Sequence, residues 1–299
     1  MLKHTIMFAV AAGMVFALAP AARASVVDLR NVVSADATLT HHYTFEGSTD
    51  TQRREDKKGS ADLSEVFNVS AAAAITYDAA GFDGTTKAVI TVGSERSRGF
   101  STGSAITLPT TLTVEALMRP DTSTASQAGR GYVAATRAST AQRGYFLYQG
   151  STAGTGTGDT DDISTLIGDP YDSGQELTLV ETLTAGHWYY VANTYSVSGG
   201  STTINTHIAD LTAGDTALTT ASKTVTGDYG SSAALYIGIA NYKGDGFPGA
   251  IDEVALYDSV LNAATLQNHL DQLLIPEPAS AALLLLGLPM LIWRRRARR

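Results

Sequence analysis

An all-β protein, folded as a two-sheet antiparallel sandwich, is what this 299-residue chain predicts, and three observations carry the prediction. Thr, Val, Ile and Tyr recur in short runs of alternating polarity. Gly, Ser, Asp and Asn separate those runs at the spacing of sandwich strands. No cysteine is present, so neither disulfides nor thiol chemistry contribute, and the core alone must hold the fold. About 250 residues between the two terminal segments suffice for one such core.

The chain opens with Lys3 and His4, an apolar run from Ile6 to Ala19, and Ala22-Arg23-Ala24 before Ser25. Basic start, short apolar stretch and A-x-A site make residues 1–24 a secretory signal peptide, cut between Ala24 and Ser25 after passage through the Sec machinery. Residues 25–37 read as a lead-in and 38–274 as the folded domain. Residues 50–60, with Arg53, Arg54, Lys57 and Lys58, read as an exposed polar loop, and the Gly/Thr/Ser-rich stretch 151–162 as a long surface loop.

The clearest strand is Thr111 to Met118: Leu112, Val114, Ala116 and Met118 take one face, Thr113 and Glu115 the other, and Pro120 ends it. Further strands are expected at 187–195, 202–209, 234–240 and 251–257. One interior helix is expected. Asn262 is its N-cap, and Leu266, Leu270, Leu273 and Leu274 form a single apolar stripe suited to an end or edge of the sandwich.

The last segment, 275–299, combines a Pro-bracketed break, the apolar run Ala279 to Trp293 and five arginines from Arg294 to Arg299. The run is a membrane segment whose basic end stays in the cytoplasm. At ~1.5 Å per residue it spans roughly 22 Å, short of the ~30 Å hydrocarbon layer. Pro289 kinks it. Such a segment suits a transient anchor better than a permanent one. Pro276-Glu277-Pro278 followed by that helix and the arginines resembles the PEP-CTERM sorting signal of Gram-negative bacteria that make exopolysaccharide. The resemblance implies an exosortase-type enzyme as partner and a final place at the cell surface or in the extracellular matrix.

Removing Lys3, Arg23 and the five tail arginines leaves 14 basic residues, and removing Glu277 leaves 28 acidic ones, a net charge near −14. Such a surface repels nucleic acid and anionic membrane.

Several motifs resemble the LamG-like, concanavalin A-like lectin/glucanase jelly roll, spread over about 230 positions. His42-Tyr43-Thr44-Phe45-Glu46-Gly47 is similar to its first core strand, Gly81-Phe82-Asp83-Gly84 to a turn, and Leu112 to Pro120 to the strand that ends in an aromatic, a basic residue and proline, with Leu117 in the aromatic place. His187-Trp188-Tyr189-Tyr190-Val191-Ala192 resembles the W-x-h-V-A strand. Phe247-Pro248-Gly249-Ala250-Ile251-Asp252-Glu253-Val254 resembles the F-x-G-x-I-D-E-V signature. The resemblance implies a jelly-roll topology.

Trp188 is expected in the core between the sheets. Asp252 either ligates calcium, with Glu46 as partner on a neighbouring strand, or caps the turn before the last strand. The 159–162 acidic cluster starts like an EF-hand loop, but Ser164 and Pro170 stand where Gly and Glu are needed. No zinc spacing, nucleophile elbow or phosphate loop occurs. A retaining glycosidase needs two carboxylates about 5 Å apart. The strand around Glu115 carries no second acid, and Asp252 and Glu253, being consecutive, are expected on opposite faces.

The chain therefore reads as no enzyme. It reads as an exported, surface- or matrix-sorted binding or adhesion module for carbohydrate or protein, with Tyr132, Tyr145, Tyr148, Tyr171, Tyr242 and Phe247 as aromatics for a sugar platform. The alternatives are a structural exopolysaccharide-matrix protein without a specific ligand and, behind it, a polysaccharide hydrolase.

Overall fold

The computed structural model describes residues 25–67, 74–91, 98–121, 131–136, 144–149, 163–167, 176–179, 183–240 and 246–274. The signal peptide, the sorting tail and the 159–162 cluster lie outside them. The described chain begins with helix α1 (Val26–Ala35), strand β1 (Leu39–Tyr43) and the single-turn helix α2 (Asp50–Arg53). Strands β2 (Ser64–Phe67), β3 (Thr76–Ala80), β4 (Lys87–Thr91), β5 (Arg98–Thr107), β6 (Thr111–Pro120), β7 (Gly131–Ala135) and β8 (Tyr145–Gln149) follow. Then come β9 (Ile163–Ile167), β10 (Glu176–Leu179), β11 (Tyr189–Ser198), β12 (Ser201–Asp210), β13 (Thr219–Thr226), β14 (Ser232–Ile237), β15 (Gly249–Tyr257) and helix α3 (Ala263–Leu274).

These strands form the two-sheet antiparallel sandwich that the alternation predicts. The first sheet runs β13-β12-β11-β6-β15-β4-β3, with β1 also on β15, and the second runs β10-β9-β8-β7-β14-β5-β2. The signature strand β15 is central. One of its edges pairs along β6; the other is shared by β4 at Gly249–Ile251 and by β1 at Val254–Tyr257.

Alternation along β6 sends Leu112, Val114, Ala116 and Met118 into the core between the sheets, where Tyr189, Val191 and Tyr195 of β11 and Ile251, Val254 and Leu256 of β15 meet them. The opposite face of this sheet is buried too. There Leu117, Tyr190, Ala192, Ala255 and Tyr257 pack under Val26, Leu29 and Val33 of α1 and Leu266, Leu270 and Leu273 of α3. Each of those six helix side chains contributes roughly 1.5–3 kcal/mol by leaving water.

Three expectations change here. The leucine helix α3 covers a sheet face rather than an end or edge, because that face is itself apolar. The lead-in holds an ordered helix, whose N-cap Ser25 accepts from the Asp28 amide through Oγ. Trp188 is buried, but in the layer beneath the helices, where the Arg119 guanidinium lies 5.4 Å from its ring. Among the described residues no helix is long and apolar enough to cross a membrane; the expected span 279–293 lies outside them.

The polar loop 50–60 is better ordered than its composition suggests. Thr49 and Gln52 form a capping box on α2. Asp56 then accepts from the amides of His42, Lys58, Gly59 and Ala61 and pairs with His41 Nδ1 at 2.6 Å. Burial of Asp56 acts to raise its pKa, but His41 and the amide donors outweigh it and hold the carboxyl at about 2. With the folded value below the ordinary 3.8, its stabilisation is present above pH 3.8 and lost as pH falls toward 2. Asp56→Ala strands several buried donors and is expected to lower stability by about 2–3 kcal/mol in urea unfolding at pH 7.

Candidate functional site

The acidic residues of the signature strand meet a cation from the other end of the chain. Between Asp252 and Ala255 the register of β15 on β6 shifts, and Glu253 sits in the left-handed region at φ 50°. The bulge turns two consecutive carboxylates toward one group. Arg30 of α1 donates through Nε to Glu253 Oε1, and its Nη2 lies 3.7 Å from Asp252 Oδ1. The expectation that these acids occupy opposite faces fails because the strand is not regular between them.

Glu46 completes the group, accepting from Arg30 Nη2 at 2.9 Å and from the Lys87 amide at 2.8 Å. His42 Nε2 lies 2.9 Å from Glu253 Oε2, while His41 turns the other way to Asp56. Gly81, in the turn between β3 and β4, leaves room: a Cβ there would lie 2.9 Å from Asp252 Oδ2 and would clash with Thr86 Oγ1. Beside it, Asp83 receives the amide of Val26 at the start of α1. Arg30 is held in its charged form because the attraction of Glu253, Asp252 and Glu46 outweighs its own desolvation. Asp252 is 0 % exposed; burial first, then the charge of Glu253, pushes its carboxyl well above the usual carboxylate range, and Arg30 works against both.

Glu46 and Asp252 are thus brought together, with the Arg30 guanidinium against both. Among the described residues no group of three or more His, Cys, Asp or Glu side chains is placed to hold a metal ion. Since Arg30 supplies the positive charge, neither calcium nor EDTA is expected to move the melting temperature. A tight calcium site would instead add stability by mass action, about 4 kcal/mol at a thousandfold excess over its dissociation constant.

A second polar group lies deeper, under α3. Glu115 of β6 accepts from Tyr190 Oη at 2.6 Å and from Tyr257 Oη, and pairs with His269 Nδ1 at 3.0 Å. It is 2 % exposed. Sequence parity alone leaves Glu115 on a polar face; the sealing helix comes from far along the chain.

Glu115, Asp252 and Glu253 are therefore sealed from solvent: Glu115 against His269 and two tyrosine hydroxyls, Glu253 against Arg30 and His42, and Asp252 with Oδ1 accepting from the Glu253 amide at 2.9 Å while Oδ2 has no hydrogen-bond partner among the described residues. That arrangement supports the fold. The aromatics singled out for a sugar platform divide: Tyr145 and Phe247 lie in the inter-sheet core and Tyr132 is buried in a smaller cluster. The side chain of Tyr148, and Tyr171 and Tyr242 altogether, fall outside the described residues.

An antiparallel sandwich carrying the F-x-G-x-I-D-E-V strand at its centre defines a lectin/glucanase-type β-domain. The chain belongs to the concanavalin A-like lectin/glucanases superfamily, whose Laminin_G_3 family model matches residues 83–267. No curated protein matches. Among solved structures the chain is similar in fold to domain 4 of AbnA, an extracellular GH43 arabinanase from Geobacillus stearothermophilus in complex with arabinotriose, at 16% identity and a TM-score of 0.54, over 78% of this chain and 98% of that one. It is also similar to the receptor-binding domain of botulinum neurotoxin type G, at 10% identity and a TM-score of 0.51, over 79% of this chain. It spans about half of that neurotoxin domain, 51% of its length.

Proposed function

We propose that the chain is an exported, non-catalytic binding module that recognises carbohydrate or protein at the envelope or in the matrix of a Gram-negative cell. The observation that carries this reading is the sealed state of the central carboxylates: Glu115, Asp252 and Glu253 are all buried, Glu115 paired with the chain's own His269 and Glu253 with Arg30. Two fold neighbours are described as a receptor-binding domain and as a domain in complex with arabinotriose, which favours binding over turnover.

The terminal segments support export and sorting. A cut between Ala24 and Ser25 leaves α1 its N-cap serine. Pro276-Glu277-Pro278, the apolar segment 279–293 and the arginines follow α3 in the order an exosortase-type enzyme recognises, with the membrane held through that segment.

The test is affinity electrophoresis of the full chain, in mild detergent, through gels containing the host's exopolysaccharide, with calcium and with EDTA. Retardation in both conditions is the expected result. Free migration in both would remove the carbohydrate reading and leave a structural matrix protein or a protein binder. Release of reducing sugar from the same polysaccharide would overturn the non-catalytic assignment.

A further inference from the structure

We infer that the lateral mouth of the sandwich, where the edge strands β2 and β3 lie on neighbouring sheets, binds an uncharged saccharide, with Phe67 as its stacking platform and Arg98 and Glu65 as its hydrogen-bonding pair. This rests on the carbohydrate reading above and gives it a place on the molecule.

Phe67 ends β2, the edge strand of the second sheet, and is 52 % exposed; it is the one aromatic among the exposed large hydrophobic side chains of the described residues. Directly opposite it in the register stands Arg98 of β5, whose guanidinium lies 5.3 Å from the ring centroid. That guanidinium is underused. Its ion pair with Glu65 Oε2 is 3.7 Å long, beyond hydrogen-bond distance, and among the described residues it makes no hydrogen bond. Glu65 has one oxygen engaged, Oε1 accepting from Tyr77 Oη of β3 at 2.5 Å, while among the described residues Oε2 meets only Arg98.

Behind this pair the mouth is braced. Tyr77 carries Arg53 over its ring at 5.3 Å and packs edge-on to Phe100, whose centroid is 6.2 Å away, and Phe100 in turn meets Phe45. The site therefore rests on an aromatic column running into the core.

Arg98 stands on the interior strand β5, whereas a charged side chain on an edge strand commonly prevents edge-to-edge pairing, which accounts for Glu65 of β2. It does not account for a half-exposed phenylalanine at the same edge, since an apolar ring there favours association. A sugar ring satisfies all three groups at once. Its C–H face covers the aromatic ring, its oxygens accept from the guanidinium, and its hydroxyls donate to the free carboxylate oxygen. The net charge near −14 of the mature chain disfavours a polyanion, so the ligand class is a neutral polysaccharide.

The experiment is affinity electrophoresis of the full chain in mild detergent through gels containing galactomannan, β-glucan or arabinan, with alginate as the acidic comparison. Wild type is expected to be retarded by at least one neutral polymer. Phe67→Ala should weaken that binding about tenfold, Phe67→Trp should keep it, and Arg98→Lys, which retains charge but not the planar fork, should fall between. Equal melting temperatures establish that the variants are folded. Unchanged binding by Phe67→Ala would overturn this site while leaving the carbohydrate reading intact. Retardation by alginate alone would overturn the neutral class, and free migration of wild type in every gel would overturn both the site and the reading it rests on.

Discussion

Arg30→Met is expected to destabilise the domain by about 3–5 kcal/mol, the usual cost of removing one partner from a buried charged group. The side chain is a single cation against three carboxylates, of which Asp252 and Glu253 are almost fully buried. Methionine keeps an unbranched apolar stem but leaves the acids without their cation. At ~2–4 °C per kcal/mol for a domain of this size, the melting temperature should fall by about 10 °C.

The sign of its pH dependence follows from the same geometry. Without Arg30, burial and the charge of Glu253 raise the Asp252 carboxyl still further above its unfolded value, so the folded state must retain that proton. Stability is then full below the unfolded values and lost as pH rises through the folded ones. The deficit of Arg30→Met should therefore be larger at pH 8 than at pH 5. Adding Glu253→Gln should recover part of it, a coupling that a double-mutant cycle in urea measures. A loss below about 0.5 kcal/mol, of the size of an exposed ion pair, would mean that the cluster is solvated and not structural.

The sandwich was legible because period-two alternation is a local property: β6 and β15 read correctly in Leu112 to Met118 and Ile251 to Tyr257. The final helix was legible for the same reason, and its predicted cap is formed, Asn262 Oδ1 accepting from the Thr265 amide at 3.0 Å. What the sequence did not disclose is non-local. Arg30 and Glu253 are 223 positions apart, and the left-handed Glu253 that aligns the two acids is a backbone choice without a residue signature.

The α1 helix did leave a signal, a serine cap with Asp28 three residues on and Val26, Leu29 and Val33 on one face. Its valines, however, favour strand as a local preference. Trp188 shows the limit of parity. It was expected between the sheets, yet it shares the face of Tyr190 and Ala192, and only the helices decide that this face is also buried.

His269→Asn is expected to remove a pH dependence as well as stability. His269 lies on α3 against Glu115 of β6, with Tyr190 Oη and Tyr257 Oη on the same carboxylate and Asp36 close enough to add to the field. Burial alone would depress the imidazole, but the charge of Glu115 outweighs it and raises His269 above its ordinary 6.5. Burial likewise works against ionised Glu115, and His269 with the two tyrosines reverses the balance, taking Glu115 below its ordinary 4.5. The contribution of Glu115 is therefore present above pH 4.5 and lost as pH falls through its lowered value; that of His269 is full below pH 6.5 and lost as pH rises through its raised value.

Between those limits the pair is an ion pair, and its stabilisation is greatest. His269→Asn should cost about 3 kcal/mol at pH 6, because Glu115 is left with hydroxyl donors alone, and the difference from wild type should shrink as pH rises through the raised value of His269. Buried His207, whose pKa is lowered, titrates with the opposite sign but is common to both proteins and cancels in the difference. Urea midpoints at pH 5, 6, 7 and 8 decide the matter. Parallel profiles would mean that His269 is neutral in the fold, and that α3 is held on the sheet by Leu266, Leu270 and Leu273 without help from charge.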